Sequence, residues 1–198
     1  MNRSTNQNTP RRTQAERRAE TQAAVLESAC KLFGKQGYSD TALEDIAKDC
    51  DLTIRPIYHY FENKQNLFKA VVEATEERII ATYDSAPENH KIHPFIQRWR
   101  AFLDLCKEPE FRQIVLIDSP NVLGREHWTE NAVTRTAQDT LEPYFAELPK
   151  LQAKFCARMI MAALAEAGLM IANSDNPKRA RQQADQLVTT IVERVLSS

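Results

Sequence analysis

The chain has 198 residues, of which 42% are hydrophobic and 27% charged, and its formal net charge is −1. This balance is typical of a globular protein and argues against disorder beyond the chain ends. No apolar run approaches the ~18 residues of a membrane-spanning helix, and the polar N-terminus lacks the apolar core of a secretory signal, so we expect a cytoplasmic protein. Only four glycines, with abundant Ala, Leu, Glu, Gln, Lys and Arg, favour helices over a sheet.

The N-terminal end carries an excess of positive charge. Residues 1–18 contain five arginines against one acid, Glu16, which gives a local net charge of +4. Residues 1–12 therefore form either a flexible basic arm that contacts phosphates or a minor groove, or a solvated tail without such a role.

Capping and turn residues predict where the first helices begin and end. Thr13 and Glu16 form a capping box that starts the first helix, and Gly37 can end it in the left-handed conformation. The apolar positions between them recur at helical spacing. We therefore expect one amphipathic helix from about residue 14 to residue 36.

Capping residues predict three more helices before residue 86. Thr41 and Glu44 form a second capping box that predicts a short helix up to about residue 49. Thr53 can cap a third helix over about residues 54–61, and Asn63 can cap a fourth that runs to about residue 85.

Five more helices are predicted after a polar break at residues 87–94. The sixth starts at Pro109 and is interrupted by Ser119-Pro120-Asn121, and the ninth is capped by Asn176-Pro177. The five cover about residues 94–106, 109–118, 125–145, 151–172 and 177–198. The sequence thus predicts an all-α protein of nine helices with no convincing strand.

The second and third helices form a helix-turn-helix pattern over roughly residues 41–61, with the turn at Cys50-Asp51-Leu52. Ala47 permits a close crossing of the two helices, and Leu52 would bury between them. The third helix would enter a DNA major groove by its N-terminal end, where Arg55 can read guanine or hold a phosphate. Two helices and a turn also occur in many proteins that do not bind DNA.

The surrounding sequence, residues 17–68, carries a longer ungapped pattern: Ala29, Leu32-Phe33, Gly37-Tyr38, Thr41, Asp45-Ile46-Ala47, Ile57-Tyr58-His59-Tyr60-Phe61, Lys64 and Leu67-Phe68. This pattern is more specific, because it closely resembles the N-terminal domain of the TetR family of transcriptional regulators. The family usually has glycine where this chain has Asp51, and aspartate tolerates a left-handed turn at some cost.

This resemblance implies two kinds of DNA contact. Backbone phosphates would be bound by Thr41, Tyr58 and Lys64. Nearest the bases would lie Thr53, Arg55, Pro56 and His59, with the ring of Tyr60 beside them. We therefore expect three parts: a basic arm at 1–12, a DNA-binding domain at 13–62, and an effector-binding and dimerisation domain at 63–198.

The last two helices, about residues 151–198, carry apolar faces that are wide for a single partner. Pairing with the same helices of a second subunit would bury the excess, as in the family, whereas packing within one subunit is the alternative. A homodimer would place two recognition helices about one DNA turn, ~34 Å, apart on a palindromic operator.

An effector pocket is expected among helices four to eight. Its candidate residues are Trp99, Phe102, Phe111, Asp118, Trp128, Met159 and Glu166. For any single apolar candidate, ordinary core is the favoured interpretation, and the two acids are equally consistent with a helix cap or an ion pair to Arg98 or Arg158. The resemblance implies a repressor in which a small-molecule effector moves helix four and releases the operator DNA.

Two rival classes are weaker. An all-helical enzyme would need a Glu-x-x-His, His-Glu-x-x-His or glycine-rich phosphate motif, and the sequence has none, so we expect no catalytic residue, metal or cofactor. His90 and His93 are three residues apart in a predicted loop, without a third ligand. A regulator-like module without DNA binding is disfavoured because Arg55, Tyr58 and Lys64 are all present.

The four cysteines are widely spaced, and no two form a Cys-x-x-Cys pair. Reduced thiols that fill helix faces are the ordinary interpretation of this pattern. A redox sensor stays open as the alternative, because thiol pKa and exposure decide reactivity.

Overall fold

A computed structural model describes residues 13–85, 92–124, 127 and 130–196. Within these residues the chain forms nine helices and no strand, which confirms the predicted all-α fold. The helices are α1 (Gln14–Asp40), α2 (Leu43–Asp49), α3 (Arg55–Phe61), α4 (Lys64–Ser85), α5 (Pro94–Leu105), α6 (Pro109–Arg112 continued by Gln113–Asp118 and Ser119–Val122), α7 (Ala132–Leu141), α8 (Lys150–Ala172) and α9 (Pro177–Leu196). The basic arm, residues 1–12, lies outside the described residues.

Helix α1 begins as the sequence predicts but extends past its predicted end. The Thr13 hydroxyl accepts the Glu16 N–H at 3.2 Å, and the Glu16 carboxylate accepts the Thr13 N–H at 2.6 Å, so the predicted capping box is confirmed. Gly37 has a φ of 82°, which confirms its expected positive φ and kinks the helix, and α1 then continues to Asp40.

The two predicted caps within the helix-turn-helix are wrong. Thr41 is only 1% exposed, and its hydroxyl donates to the Gly37 carbonyl at 2.8 Å, so α2 begins behind Ala42 instead. Helix α3 begins behind Ile54 without a side-chain cap, and Thr53 lies outside it. The reason at Thr41 is competition: α1 ends with open carbonyls that a nearby hydroxyl satisfies. The predicted Asn63 cap is confirmed, since its side chain accepts the Asn66 N–H at 2.8 Å.

The break predicted at Ser119-Pro120-Asn121 is wrong, because helix α6 continues through these residues. It widens into a π-turn at Gln113–Asp118 and then continues through Ser119–Val122. A proline ring clashes with the carbonyl four residues earlier in a regular α-helix, and a π-turn gives such a residue more room. The predicted seventh helix, about residues 125–145, is described in part: residues 127 and 130 are helical, α7 follows at Ala132–Leu141, and a 3₁₀ turn at Glu142–Phe145 reaches the predicted end.

Close packing joins the N-terminal helices to the rest of the molecule. Helix α1 contacts both α4 and α6. At Gly34 a Cβ atom would lie 2.5 Å from the Glu110 Cβ, so only glycine allows α1 to approach α6 this closely. The Phe33 and Phe68 rings meet edge to face at 5.1 Å in the shared core of α1 and α4. Helices α4 and α6 therefore both pack directly against α1.

Helix α8 is more apolar than the sequence analysis allowed. By length and composition it could cross a membrane, so the expectation that no segment comes near this limit is wrong for Lys150–Ala172. One face of α8 packs inward through Ala157, Leu164 and Gly168. The opposite face exposes large apolar side chains, which include Phe155 and Met159.

Candidate nucleic-acid interface and ligand cavity

The turn between α2 and α3 has the backbone geometry of a helix-turn-helix. Asp51 adopts a φ of 55°, which confirms the left-handed turn expected there. The Leu52 N–H donates to the Ala47 carbonyl at 2.8 Å and closes the turn. Ala47 is buried, so the two helices cross closely.

Helix α2 is fixed to α1 at its C-terminal end, directly before the turn. The Asp49 carboxylate accepts the Ser28 hydroxyl at 2.8 Å and the Lys31 ammonium at 2.7 Å. These two bonds lower the pKa of Asp49 below its ordinary value. The orientation of the helix-turn-helix is thus set by α1.

The outward surface of α3 carries the residues predicted to face the bases. Ile57 is fully buried and anchors the helix, while Thr53, Arg55 and His59 are exposed. Pro56 and Tyr60 are half-buried, and the Tyr60 ring lies 5.0 Å from the His59 ring, edge to face. The exposed surface therefore presents a guanidinium, an imidazole and a hydroxyl to a partner.

Tyr58 and Lys64 lie at one surface groove whose other wall is the segment 39–44. The Lys64 Nζ stands 4.4 Å from the centre of the Tyr38 ring and donates to the Ser39 carbonyl at 3.3 Å. Tyr58 is 50% exposed on the same groove. Because an ammonium has three N–H donors, Lys64 is held in place and can still donate outward.

Thr41 lies at this groove but contributes little to it. Its hydroxyl is committed to the Gly37 carbonyl, and its side chain is buried. The phosphate contact expected from that hydroxyl is thus replaced by an internal bond that closes the turn between α1 and α2.

The helix-turn-helix segment is not basic as a whole. Residues 13–62 contain six lysines and arginines against nine acids, a net charge of −3. Residues 1–12 add three arginines and no acid. Attraction to a polyanion must therefore come from the local placement of Arg55 and Lys64 and from the arm, not from the charge of the segment.

A second candidate site is a narrow cavity of about 40 Å³ enclosed by α4, α5, α6, α7 and α8. Its wall is largely apolar and includes four aromatic rings, those of Tyr83, Phe95, Trp99 and Phe102. Its charged and amide or hydroxyl groups are those of Glu76, Arg98, Ser119 and Asn131. A cavity of this size holds about one or two waters, so a larger ligand must push side chains apart.

Of the predicted effector residues that the structure describes, Trp99 and Phe102 line this cavity. Phe111 packs edge to face on Phe102 at 5.9 Å but lies behind it. Met159 is 71% exposed and Glu166 is exposed, because both lie on the outward face of α8. Phe111, Met159 and Glu166 therefore do not line this cavity, and Trp128 lies outside the described residues.

Asp118 also points away from the cavity. Its Oδ2 accepts the Tyr38 backbone N–H at 2.8 Å and the Gln113 side-chain amide at 3.1 Å. It therefore bridges the π-turn of α6 to the end of α1, at the residue whose ring lies 4.4 Å from the Lys64 Nζ.

Sequence reasoning missed Glu76, Tyr83 and Arg98. Glu76 and Tyr83 lie in the same row of α4 as Val72 and Ile79, at spacings of four, three and four residues. A carboxylate within an otherwise apolar row was the signal that could have identified the cavity wall.

Glu76 is the most unusual polar group of the cavity, since it is a carboxylate that is only 6% exposed. Its Oε1 accepts the Asn131 amide at 2.9 Å and contacts the His127 Nε2 at 3.1 Å. Burial raises the pKa of Glu76 above its ordinary value. The Trp99 indole N–H is also buried and has no hydrogen-bond partner among the described residues.

The thiols give little support to a redox sensor. All four cysteines are free. Burial raises the pKa of Cys106 to about 12, and it also raises the pKa of Cys30. Both thiols are therefore protonated and weakly nucleophilic at neutral pH.

Two family models match this chain. The model described as "Bacterial regulatory proteins, tetR family" matches residues 25–71. The model described as "Tetracyclin repressor-like, C-terminal domain" matches residues 92–195. The first match contains the helix-turn-helix, and the second contains helices α5 to α8 and most of α9.

Individual relatives agree with these matches. The regulator AcrR of Shigella flexneri is 40% identical over 60 residues, which are 30% of this chain and only 28% of AcrR. The crystal structure of a TetR-family transcriptional regulator from Pectobacterium atrosepticum is 29% identical, covers 94% of this chain and 99% of its own, and superposes with a TM-score of 0.67. A TetR-like regulator from Rhodococcus sp. RHA1 shares the fold, with 18% identity, 95% and 100% coverage and a TM-score of 0.62.

Proposed function

This chain belongs to the TetR family of bacterial transcriptional regulators, and from that premise we propose that it is a repressor that leaves a palindromic operator when a small organic molecule fills its cavity. It is a DNA-binding regulator, not an enzyme. The observation that carries the proposal is the convergence of Tyr58 and Lys64 on one groove beside the exposed face of α3.

The DNA contacts divide into two groups. Tyr58 and Lys64 bind the phosphate backbone, since one offers a hydroxyl and the other a positioned ammonium. Arg55, Thr53 and His59 face the bases, because Arg55 and His59 project from α3 and Thr53 lies exposed just before its start. Pro56 and Tyr60 are half-buried beside them and shape the surface more than they extend it. Thr41 positions the groove from within.

The protein binds its operator as a homodimer through α8 and α9. Their outer faces expose a stripe of large apolar side chains: Leu151, Phe155, Met159, Met170, Leu187 and Ile191. Contiguous exposure of this kind is costly in water and is relieved when an identical face covers it. A four-helix interface of two α8–α9 pairs buries this stripe in both subunits.

The same interface accounts for the apolar character of α8 without a membrane. Helix α8 lies inside the segment that matches the C-terminal domain of the family. Arg158 and Glu166 stand on its length, and its inner face packs in the core. We assign the protein to the cytoplasm, where its operator is.

Ligand binding reaches the DNA-reading surface along two helices. Helix α4 carries Glu76 and Tyr83 in the cavity wall and Lys64 at its N-terminus. Helix α6 carries Val115 and Ser119 in the same wall, on either side of the Asp118 bridge to α1. A ligand that expands the cavity shifts both helices and so changes the spacing of the recognition helices in the dimer.

Selection of bound DNA from genomic fragments, at a stated salt concentration, tests this function. We expect one inverted repeat whose half-sites are centred about one or more helical turns apart, ~34 Å each. Binding that does not distinguish this sequence from random DNA contradicts the proposal. A second arm measures operator affinity with and without ligand, and ligand affinity with and without operator. The two ratios must be equal, because the coupling between two sites is reciprocal.

A further inference from the structure

We infer that the ligand of the α4–α8 cavity is an organic monocation, whose ammonium group is held by Glu76 and whose apolar body lies against Trp99 and Phe102. The inference rests on the proposed function, because it takes this cavity as the effector site. It adds the chemical class of the effector, which neither the family match nor the fold specifies.

Glu76 is a buried carboxylate without a full set of partners, which is costly. Glu76 is 6% exposed, and both of its hydrogen bonds end on Oε1. An ionised carboxylate has about four acceptor positions, and its burial is unfavourable unless a cation or donors surround it. Among the described residues no lysine or arginine forms an ion pair with Glu76; its one charged partner is His127, and only when that ring is protonated. A ligand cation supplies the missing charge.

The cavity wall beyond Glu76 suits the apolar part of the ligand. Four aromatic rings line the cavity beyond Glu76. Such walls bind apolar bodies, and their ring faces attract cations. The buried Trp99 indole N–H has no partner among the described residues, so the body also carries an acceptor or a ring face to meet it.

The positions of Glu76 and Arg98 determine how the ligand is oriented and how many charges it carries. Glu76 and Tyr83 are seven residues apart on α4, so they mark the ends of a path about 10 Å long. Arg98 occupies the far end, with its guanidinium 5.9 Å from the Tyr83 ring centre and a donor on the Thr136 carbonyl at 3.2 Å. A second positive charge on the ligand would meet Arg98 there. The ligand therefore carries one charge, at the Glu76 end.

Three probes of equal size and different charge test the inference on the full-length protein: 4-phenylbutylammonium, 4-phenylbutan-1-ol and 4-phenylbutanoate. Isothermal titration calorimetry near neutral pH measures their affinities. We expect the ammonium to bind at least about tenfold more tightly than the alcohol, which corresponds to about 1.4 kcal/mol. We expect the carboxylate to bind most weakly.

Two variants separate the charge of Glu76 from the shape of the cavity. In Glu76→Gln the advantage of the ammonium over the alcohol should disappear, while the alcohol binds as well as before and so reports an intact cavity. Glu73→Gln is the matched control, because Glu73 is an exposed acid one turn earlier on α4, and it should leave the order of the probes unchanged.

The inference is overturned if the ammonium has no advantage, if Glu76→Gln keeps that advantage, or if none of the probes binds. Gel shifts on the selected operator keep this failure apart from failure of the proposed function. A protein that binds its operator and is released by the probes irrespective of their charge remains a ligand-controlled regulator but not a cation sensor. A protein without a specific operator contradicts the proposed function itself.

Discussion

Replacement of Asp118 by alanine should loosen the contact between α6 and α1. The carboxylate accepts the Tyr38 N–H at 2.8 Å and the Gln113 amide at 3.1 Å, and the variant leaves both donors without it. Hydrogen bonds to a charged group contribute about 1.5–3 kcal/mol, and Asp118 is half-buried, so a loss near the lower end is expected. Asp118→Asn keeps a carbonyl acceptor for Tyr38 and should lose less than about 1 kcal/mol.

Urea unfolding followed by circular dichroism, at one protein concentration, measures this loss as a lower midpoint with an unchanged slope. The same substitution should also weaken the effect of ligand on operator affinity, because it removes a direct link between the cavity wall and α1. Equal stability of the alanine variant and the unmodified protein, within about 0.5 kcal/mol, would refute the reasoning. If the variant is less stable but the ligand changes its operator affinity as much as before, Asp118 has a structural role only.

Three further outcomes are expected. Gly34→Ala should lower the free energy of unfolding by about 1–3 kcal/mol, because its Cβ would lie 2.5 Å from the Glu110 Cβ. Gly168→Ala should be neutral or stabilising, because its Cβ would meet its neighbours at 3.5 Å or more. Equal urea midpoints for the two variants would contradict this difference. Binding of 4-phenylbutylammonium should strengthen as pH rises from about 5 to about 8, since burial raises the pKa of Glu76 and only its ionised form attracts a cation. His127 and Glu73 are its titratable neighbours. A calorimetric affinity that does not change with pH would contradict the role of the Glu76 carboxylate in binding. Phe155→Glu should convert the dimer to a monomer in light scattering, because a charge in the exposed stripe opposes its burial, and an unchanged molar mass would exclude α8 from the interface.

Local rules predicted backbone features better than side-chain roles. Gly37 and Asp51 were both expected in left-handed turns, and both have positive φ. Such conformations depend on the residue itself and its immediate neighbours. The caps at Thr41 and Thr53 failed because a hydroxyl bonds to whichever backbone group tertiary packing brings nearest, and at Thr41 that group belongs to α1.

The cavity was the least predictable part of the molecule. Trp99 and Phe102 were expected in its wall, whereas Met159 and Glu166 lie on the outer face of α8. An apolar residue on a helix with two apolar faces gives no sign of which face is turned inward. Glu76 could have been found, because a carboxylate within the apolar row of α4 required an explanation.

We propose that Arg55 and Lys64 contact different parts of the DNA, Arg55 the bases and Lys64 the phosphate backbone. This proposal is tested most directly by the binding of Arg55→Ala and Lys64→Ala to the selected operator and to random DNA over a range of salt concentrations. Arg55→Ala should reduce the preference for the operator by about 1–3 kcal/mol. Lys64→Ala should weaken binding to both DNAs alike and lower the slope of log affinity against log salt by about 1. Equal weakening by both variants on every DNA, with the same salt slope, would contradict the account.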